Sequence, residues 1–388
     1  MQQNWTVYFA GRSLFYIEDG KYKVYFNISR FLKTIKNLNI NISIVTHDRN
    51  LKQNLKENLT NVEAYGRKEI RSLFKDKSIS NEKSIFIGPS NDDLYIAAAY
   101  KLLYINPEWS SEHEVEAEKY GIKIKEPDQL ISMLKILINQ HKWFYSLKIS
   151  EKSELISLMS ANSYRADERE KNVLDQFQEV LKHGSEVYKD ALTFHLISGM
   201  MQYEELYNID YWAAMPSSGT EPSKVLVEFK DRCRYLTGKK ISKPLLIRYK
   251  KIEKSHYLSP EERIKVGASR LFDSVTINPY FKGKLKGKTI CLIDDYVTNG
   301  ATTEMARNLL EKTGVKKIIF VSLGRYLRYN GVTYQKEDYQ ITGDVYEAGY
   351  TYVRDRFDIS YGDNAVKETA AKDEVKKIYD ILNGTGDE

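Results

Sequence analysis

The residues best suited to chemistry lie in Lys288-Thr289-Ile290-Cys291-Leu292-Ile293-Asp294-Asp295-Tyr296-Val297-Thr298-Asn299-Gly300-Ala301-Thr302-Thr303-Glu304-Met305-Ala306. An apolar run that reads as a buried strand leads to two carboxylates. A short turn of small polar residues follows, then an amphipathic helix whose Met305, Leu309 and Leu310 suit a sheet-facing side. Ligands of open α/β sheets bind beyond the carboxyl ends of the strands. The first turn of the next helix offers unpaired N–H groups and the positive end of the helix dipole, which favour a phosphate. Gly300 permits close backbone approach, and Thr298 and Thr302 add hydroxyl donors. Asp294 and Asp295 stand ahead of the turn, where they suit sugar hydroxyls. A phosphate on one side and two hydroxyls on the other describe a ribose 5-phosphate, cradled by Thr298, Asn299, Gly300, Ala301 and Thr302.

Two more segments carry candidates. Trp212-Ala213-Ala214-Met215-Pro216-Ser217-Ser218-Gly219 is a strand ending in a small-residue turn. Ser217, Ser218 and Gly219 form that turn. Leu246-Ile247-Arg248-Tyr249-Lys250-Lys251 is a strand followed by cations, and Leu258-Ser259-Pro260-Glu261-Glu262-Arg263 opens another helix. Arg248, Lys250, Lys251 and Arg263 suit the charge of a diphosphate.

Taken together, these segments resemble the type I phosphoribosyltransferases, in the competence-protein or amidophosphoribosyltransferase-like branch. The 5-phosphoribosyl 1-diphosphate (PRPP) signature of that family runs as four apolar residues, two acids, two variable residues, Thr-Thr-Gly and a small residue. Asn299 departs from it, standing where Thr is usual, and Tyr296 is bulkier than the usual Val or Ile. The resemblance covers residues 165–330 and implies Mg²⁺-dependent transfer of a phosphoribosyl group from PRPP to an acceptor, with loss of pyrophosphate. It assigns Asp294 and Asp295 to catalysis, residues 298–302 to the 5-phosphate, and Ser217, Ser218, Gly219, Arg248 and Lys250 to pyrophosphate. Magnesium would be held by the substrate and Asp294/Asp295. The alternative is a protein that senses PRPP or a nucleotide without turnover, or a partner-bound effector.

The first third resembles the haloacid dehalogenase-like (HAD) hydrolases. Ile44-Val45-Thr46-His47 matches the strand ending in a phosphate-binding Thr. Ile85-Phe86-Ile87-Gly88-Pro89-Ser90-Asn91-Asp92-Asp93 matches the acidic turn that holds magnesium. The family places Asp-x-Asp at the end of its first strand, where this chain has Val7-Tyr8-Phe9-Ala10-Gly11-Arg12-Ser13. Without the nucleophile and the acid/base, the resemblance implies a degenerate domain inactive as a phosphatase.

The elements that must position these residues alternate. Strands are expected at Thr6–Phe9, Ile40–Thr46, Ser84–Gly88 and Leu102–Ile105, with helices at Ile28–Leu38, Leu51–Leu59 and Asp93–Tyr100 between them. Leu130–Leu147, Lys152–Met159 and Asp167–Tyr207 read as helices. Strands return at Tyr211–Met215, Pro244–Arg248, Thr289–Ile293 and Lys317–Ser322. The expected fold is α/β in two domains, each a mainly parallel sheet flanked by helices. The expected divisions are 1–150 (HAD-like), 151–210 (helical linker or hood) and 211–388 (phosphoribosyltransferase-like). The segment after Arg325 matches nothing.

Composition bounds the rest. With 388 residues, 42% hydrophobic and 29% charged, the chain can bury a large core. Its net charge of +6 is too dilute to indicate nucleic acid. Cys233 and Cys291 are too few for a disulfide scaffold or a CxxC zinc site, and the six histidines lack zinc-hydrolase spacing. No run of 18 apolar residues indicates a membrane span, and the N-terminus has no secretory pattern, so a cytoplasmic protein is expected. A protein partner or homo-oligomer is compatible with all of this.

Overall fold

A computed structural model describes residues 4–58, 62–140, 143–161, 186–202, 208–252, 258–327 and 332–385. The first unit contains β1 (Thr6–Ala10), β2 (Phe15–Glu18), β3 (Lys21–Val24), β4 (Asn41–Thr46), β5 (Glu63–Gly66), β6 (Ser84–Ile87), β7 (Leu103–Pro107) and β8 (Ile122–Ile124). Strands β2 and β3 form a separate hairpin. The others make a wholly parallel six-stranded sheet of order β5-β4-β1-β6-β7-β8. Its central strands are buried throughout: Ser84-Ile85-Phe86-Ile87 and Leu103 to Pro107 hardly touch solvent. A parallel sheet covered on both faces requires such unbroken apolar runs.

The second unit contains β9 (Tyr145–Lys148), β10 (Ser153–Ser160), β11 (Tyr211–Ala214), β12 (Leu246–Arg248), β13 (Val275–Ile277), β14 (Thr289–Val297), β15 (Lys317–Arg325), β16 (Lys336–Thr342), β17 (Thr351–Asp358) and β18 (Val366–Lys367). Its six-stranded sheet has the order β11-β14-β15-β10-β9-β18, parallel from β11 to β10 and antiparallel over β9 and β18. Strands β12–β13 and β16–β17 are two-stranded ribbons at its flank.

Three expectations change. The helix expected over Leu130–Leu147 ends at Ile138, and Tyr145–Lys148 is a strand. Lys152–Met159 is not a helix but the strand Ser153–Ser160, so the segment expected as a helical linker begins inside the second sheet. A short apolar run has no period that separates a buried strand from a helix. Here β15 and β9 take its backbone hydrogen bonds on either side. Strand β12 pairs with β13 rather than with the main sheet. The helix expected over Asp167–Tyr207 is described from Glu186 to Met200. Met201 and Gln202 form a turn after it, and residues 167–185 and 203–207 lie outside the described residues, as do Ser255, His256 and Tyr257. After Arg325 come the β16–β17 ribbon and a C-terminal helix, Thr369–Asn383. No described helix is long and apolar enough to cross a membrane.

One hydrophobic core runs through both units, from Val7 and Phe9 on β1 to Ile319 and Val321 on β15. Helices Pro127–Ile138, Glu186–Met200, Lys224–Leu236 and Thr369–Asn383 meet between the sheets. Tyr235 stacks on Tyr120 with ring centroids 4.0 Å apart. The buried Arg232 guanidinium donates to the carbonyls of Tyr120 and Gly121 and pairs with Asp190. Gly238 lies so close to helix Asn91–Tyr100 that a Cβ would meet the Ala98 carbonyl. Arg232→Met withdraws the cation from Asp190 and the donors from two carbonyls. It is expected to lower stability by about 3–5 kcal/mol, read as the shift in a urea unfolding curve. Because the core is shared, both units are expected to unfold in one transition.

Candidate functional site

Strands β11 and β14 are parallel neighbours, with Ala214 opposite Ile293. The Ser217–Gly219 turn and the Thr298–Thr302 loop therefore leave the same edge of the sheet side by side. The Met215 N–H donates to the Ile293 carbonyl at 2.8 Å and extends the pairing to the base of the turn. Strand β14 runs further than expected, to Val297, so Asp294 and Asp295 sit on its last turns of pleat rather than in the loop. Asp294 is half-buried and Asp295 exposed. Burial, and then the neighbouring Asp295 charge, raises the Asp294 carboxyl well above its ordinary 3.8.

The loop after β14 closes onto helix Ala301–Glu311 through Gly300, whose φ of 92° favours glycine. A Cβ there would strike the Tyr334 ring. Asn299, where the signature has Thr, is buried. Its side-chain amide donates to Gln335 Oε1 at 3.3 Å, and its carbonyl accepts from the Gln335 N–H at 2.8 Å. Its polar groups thus brace the loop from behind. The Thr298 carbonyl accepts from Arg325, whose fully buried guanidinium also reaches the Thr333 carbonyl and lies 4.6 Å from the Tyr145 ring centroid.

A cleft of about 100 Å³ opens over this loop, lined by Asp294, Tyr296, residues 297–303, Arg263 and Arg270. That is room for a phosphate-sized group. Arg270 was not among the sequence candidates. It comes from the short helix Ser269–Phe272. Burial and the Arg263 charge hold its guanidinium below its ordinary value, while burial and the Arg270 charge push Arg248 down to about 10. Neither Arg270 nor Arg248 pairs with a carboxylate among the described residues. The guanidiniums of Arg263 and Arg270 beside a helix start make a strongly anion-favouring place.

The other candidates are placed as follows. Ser217 Oγ donates to the Glu221 carbonyl at 2.5 Å, which shapes the turn. The Ser218 carbonyl accepts from the Ile252 N–H at 3.2 Å, and a Cβ at Gly219 would meet only ordinary contacts with Ser217 and Glu221. Arg248 is buried, and its guanidinium donates to the Ser217 carbonyl and Ser274 Oγ. It holds the turn and adds charge from beneath. Lys250 is exposed. Ala301 and Thr302 form the first turn of the helix, and the buried Met305, Leu309 and Leu310 anchor it.

Behind the cleft lies a network of buried acids. Glu304 accepts from Arg307 at 2.7 Å, Tyr334 Oη at 2.6 Å and the Glu337 N–H at 2.9 Å. Glu337 accepts from the Ala268 N–H at 2.9 Å and Gln335 at 2.6 Å. Gly267, with φ 57°, leaves no space for a Cβ against Glu337. The same residues thus hold the Thr298–Thr302 loop and the turn that delivers Arg270.

At the corresponding edge of the first unit, β1 ends in Gly11-Arg12-Ser13, and Arg12 pairs with Glu112. Thr46 Oγ1 accepts from the Asp48 N–H at 3.1 Å. The acidic turn is neutralised by guanidiniums. Arg67 lies 2.6 Å from Asp92 and 2.5 Å from Asp93, and Arg71 lies 2.9 Å from Asp92. Asp93 also caps its own helix through Ser90. Among the described residues no group of three or more His, Cys, Asp or Glu is placed to hold a metal ion. The chain matches no protein-family model and no curated protein.

The raised Asp294 carboxyl has a consequence for stability. An acid that holds its proton more tightly when folded contributes its full stability below its unfolded value and loses it as pH rises through the folded value. Asp294→Asn, which cannot ionise, is therefore expected to match the wild type below about pH 4 and to melt at a higher temperature near pH 7. Melting curves across that range check this.

Proposed function

We propose that the second unit binds PRPP and transfers its phosphoribosyl group to an acceptor, with loss of pyrophosphate. The observation that carries this reading is the phosphate-sized cleft over residues 297–303 with Arg263 and Arg270 on its rim and Asp294 at its mouth. The 5-phosphate sits on the Thr298–Thr302 loop, and Asp294 and Asp295 accept hydrogen bonds from the ribose hydroxyls. The diphosphate extends towards the Ser217–Gly219 turn on the adjacent strand, where Arg248 raises the local positive potential. The acceptor's nucleophilic atom bonds to the anomeric carbon as the carbon–oxygen bond to pyrophosphate breaks, and the bonding electrons leave with pyrophosphate.

Adjacent carboxylates, one half-buried and one exposed, suit a magnesium ion that keeps its waters and substrate oxygens and takes few protein ligands. Asp294 and Asp295 would hold it, and it would supply charge neutralisation for the departing diphosphate. The first unit we read as a HAD-like scaffold without phosphatase chemistry. Its first strand ends without an acid, and Arg67 and Arg71 occupy the acidic turn.

Calorimetric titration with PRPP and Mg²⁺, beside ribose 5-phosphate and nucleoside monophosphates, tests the reading. Wild type is expected to bind PRPP. Arg270→Ala should weaken it by about tenfold or more, as loss of a charged hydrogen bond does. Asp294→Asn combined with Asp295→Asn should abolish sugar binding, and wild-type affinity in that double variant would sink the assignment. Pyrophosphate release with an acceptor panel then separates transfer from sensing.

A further inference from the structure

A cavity of about 610 Å³ lies in the first unit, between the β2–β3 hairpin and the ends of β1 and β4. That is the size of a small-molecule site. The hairpin is tied down over it. Tyr22 Oη donates to Asp48, and Tyr25 Oη shares a 2.9 Å hydrogen bond with Ser111 Oγ while accepting from the Ser111 N–H. We propose that this cavity binds an uncharged heteroaromatic ring with hydrogen-bonding edges, a nucleoside.

The lining has two characters. The hairpin supplies Phe15, Tyr16, Tyr22 and Tyr25, with the Tyr16 and Tyr25 rings 5.0 Å apart. Aromatic faces hold flat rings by stacking, with little preference among bases. The strand ends supply Thr46, His47 and Asp48. A neutral imidazole offers one donor and one acceptor, and a hydroxyl can do both, which suits the edge of a base. Partial burial and the Arg67 charge hold His47 below its ordinary value, which favours that neutral state.

Charge decides between a nucleoside and a nucleotide. Each cation in the lining already has a carboxylate: Arg12 has Glu112, and Arg67 has Asp93 with Asp92. Asp48 is kept ionised by the Tyr22 hydrogen bond and the Leu51 N–H. No positive charge is left over for a phosphate. The second-unit cleft is the opposite case, since Arg270 in its lining has no carboxylate partner among the described residues. The two sites thus differ in the ligand charge they accept, and the proposal for this cavity does not rest on the one for the cleft.

The full chain is titrated with adenosine, guanosine, cytidine and uridine and with their 5′-monophosphates, in wild type and in the Arg270→Ala background that weakens phosphate binding elsewhere. At least one nucleoside is expected to bind, and no more weakly than its monophosphate in that background. Tyr22→Ala should weaken it by about tenfold, the effect of one stacking ring. Tyr22→Phe keeps the ring and loses only the tie to Asp48, so it should retain most of the affinity. His47→Ala, at an exposed position, should weaken binding without disturbing the fold. The proposal fails if no nucleoside binds, if Tyr22→Ala and His47→Ala both bind like wild type, or if the monophosphate is preferred in the Arg270→Ala background.

Discussion

Glu304 carries a carboxylate into the interior of the second unit, and the candidate site depends on how that carboxylate is satisfied. An isolated buried charge is costly, and a pair is tolerated only when its remaining hydrogen-bonding capacity is met. Here Arg307, the Tyr334 hydroxyl and the Glu337 N–H all converge on it. Each partner has a second role. The Tyr334 ring closes on Gly300, and Glu337 holds the turn that leads to Arg270. The Thr298–Thr302 loop, the arginine-bearing turn and the β16–β17 ribbon are thereby one hydrogen-bonded body. A complete buried network of this kind favours a single arrangement over alternatives.

The two units place their ligand-facing groups by the same rule and reach opposite electrostatics. In both, loops leave the carboxyl ends of parallel strands, where backbone and side-chain donors gather. In the first unit every guanidinium of the lining meets a carboxylate, and the hairpin adds aromatic faces. In the second, guanidiniums crowd one another over a cleft with little apolar wall. The shared core and the Arg232 contacts join the units without a free linker among the described residues.

Much of the fold was legible because its signals are local. The strand, turn and helix of 289–311 follow one another in sequence, and the structure keeps that order with the acid pair inside the strand's last residues. Most of the alternation in the first 107 residues was legible for the same reason, but the β2–β3 hairpin, β5 and helix Arg67–Lys75 were not expected. Legibility failed at Ser153–Ser160, whose apolar run fits either a strand or a helix until its neighbours are known. It failed again at Arg270, which sits in an unremarkable stretch and matters only because Gln335 and Glu337, far along the chain, fix the turn before it.

The sequence alone determined which segments are strands ending in polar turns, that Gly300 opens the turn after the acid pair, and that the first strand ends without an acid. These are properties of neighbouring residues, set by local sterics and by the period of apolar side chains. Tertiary structure alone decided that Asn299 faces inward to Gln335, that Arg248 lies beneath its turn, and that Arg67 neutralises the acidic turn. Those outcomes depend on which charge meets which across tens of residues. Burial makes each such pairing close to obligatory, and only the folded chain brings the partners within reach.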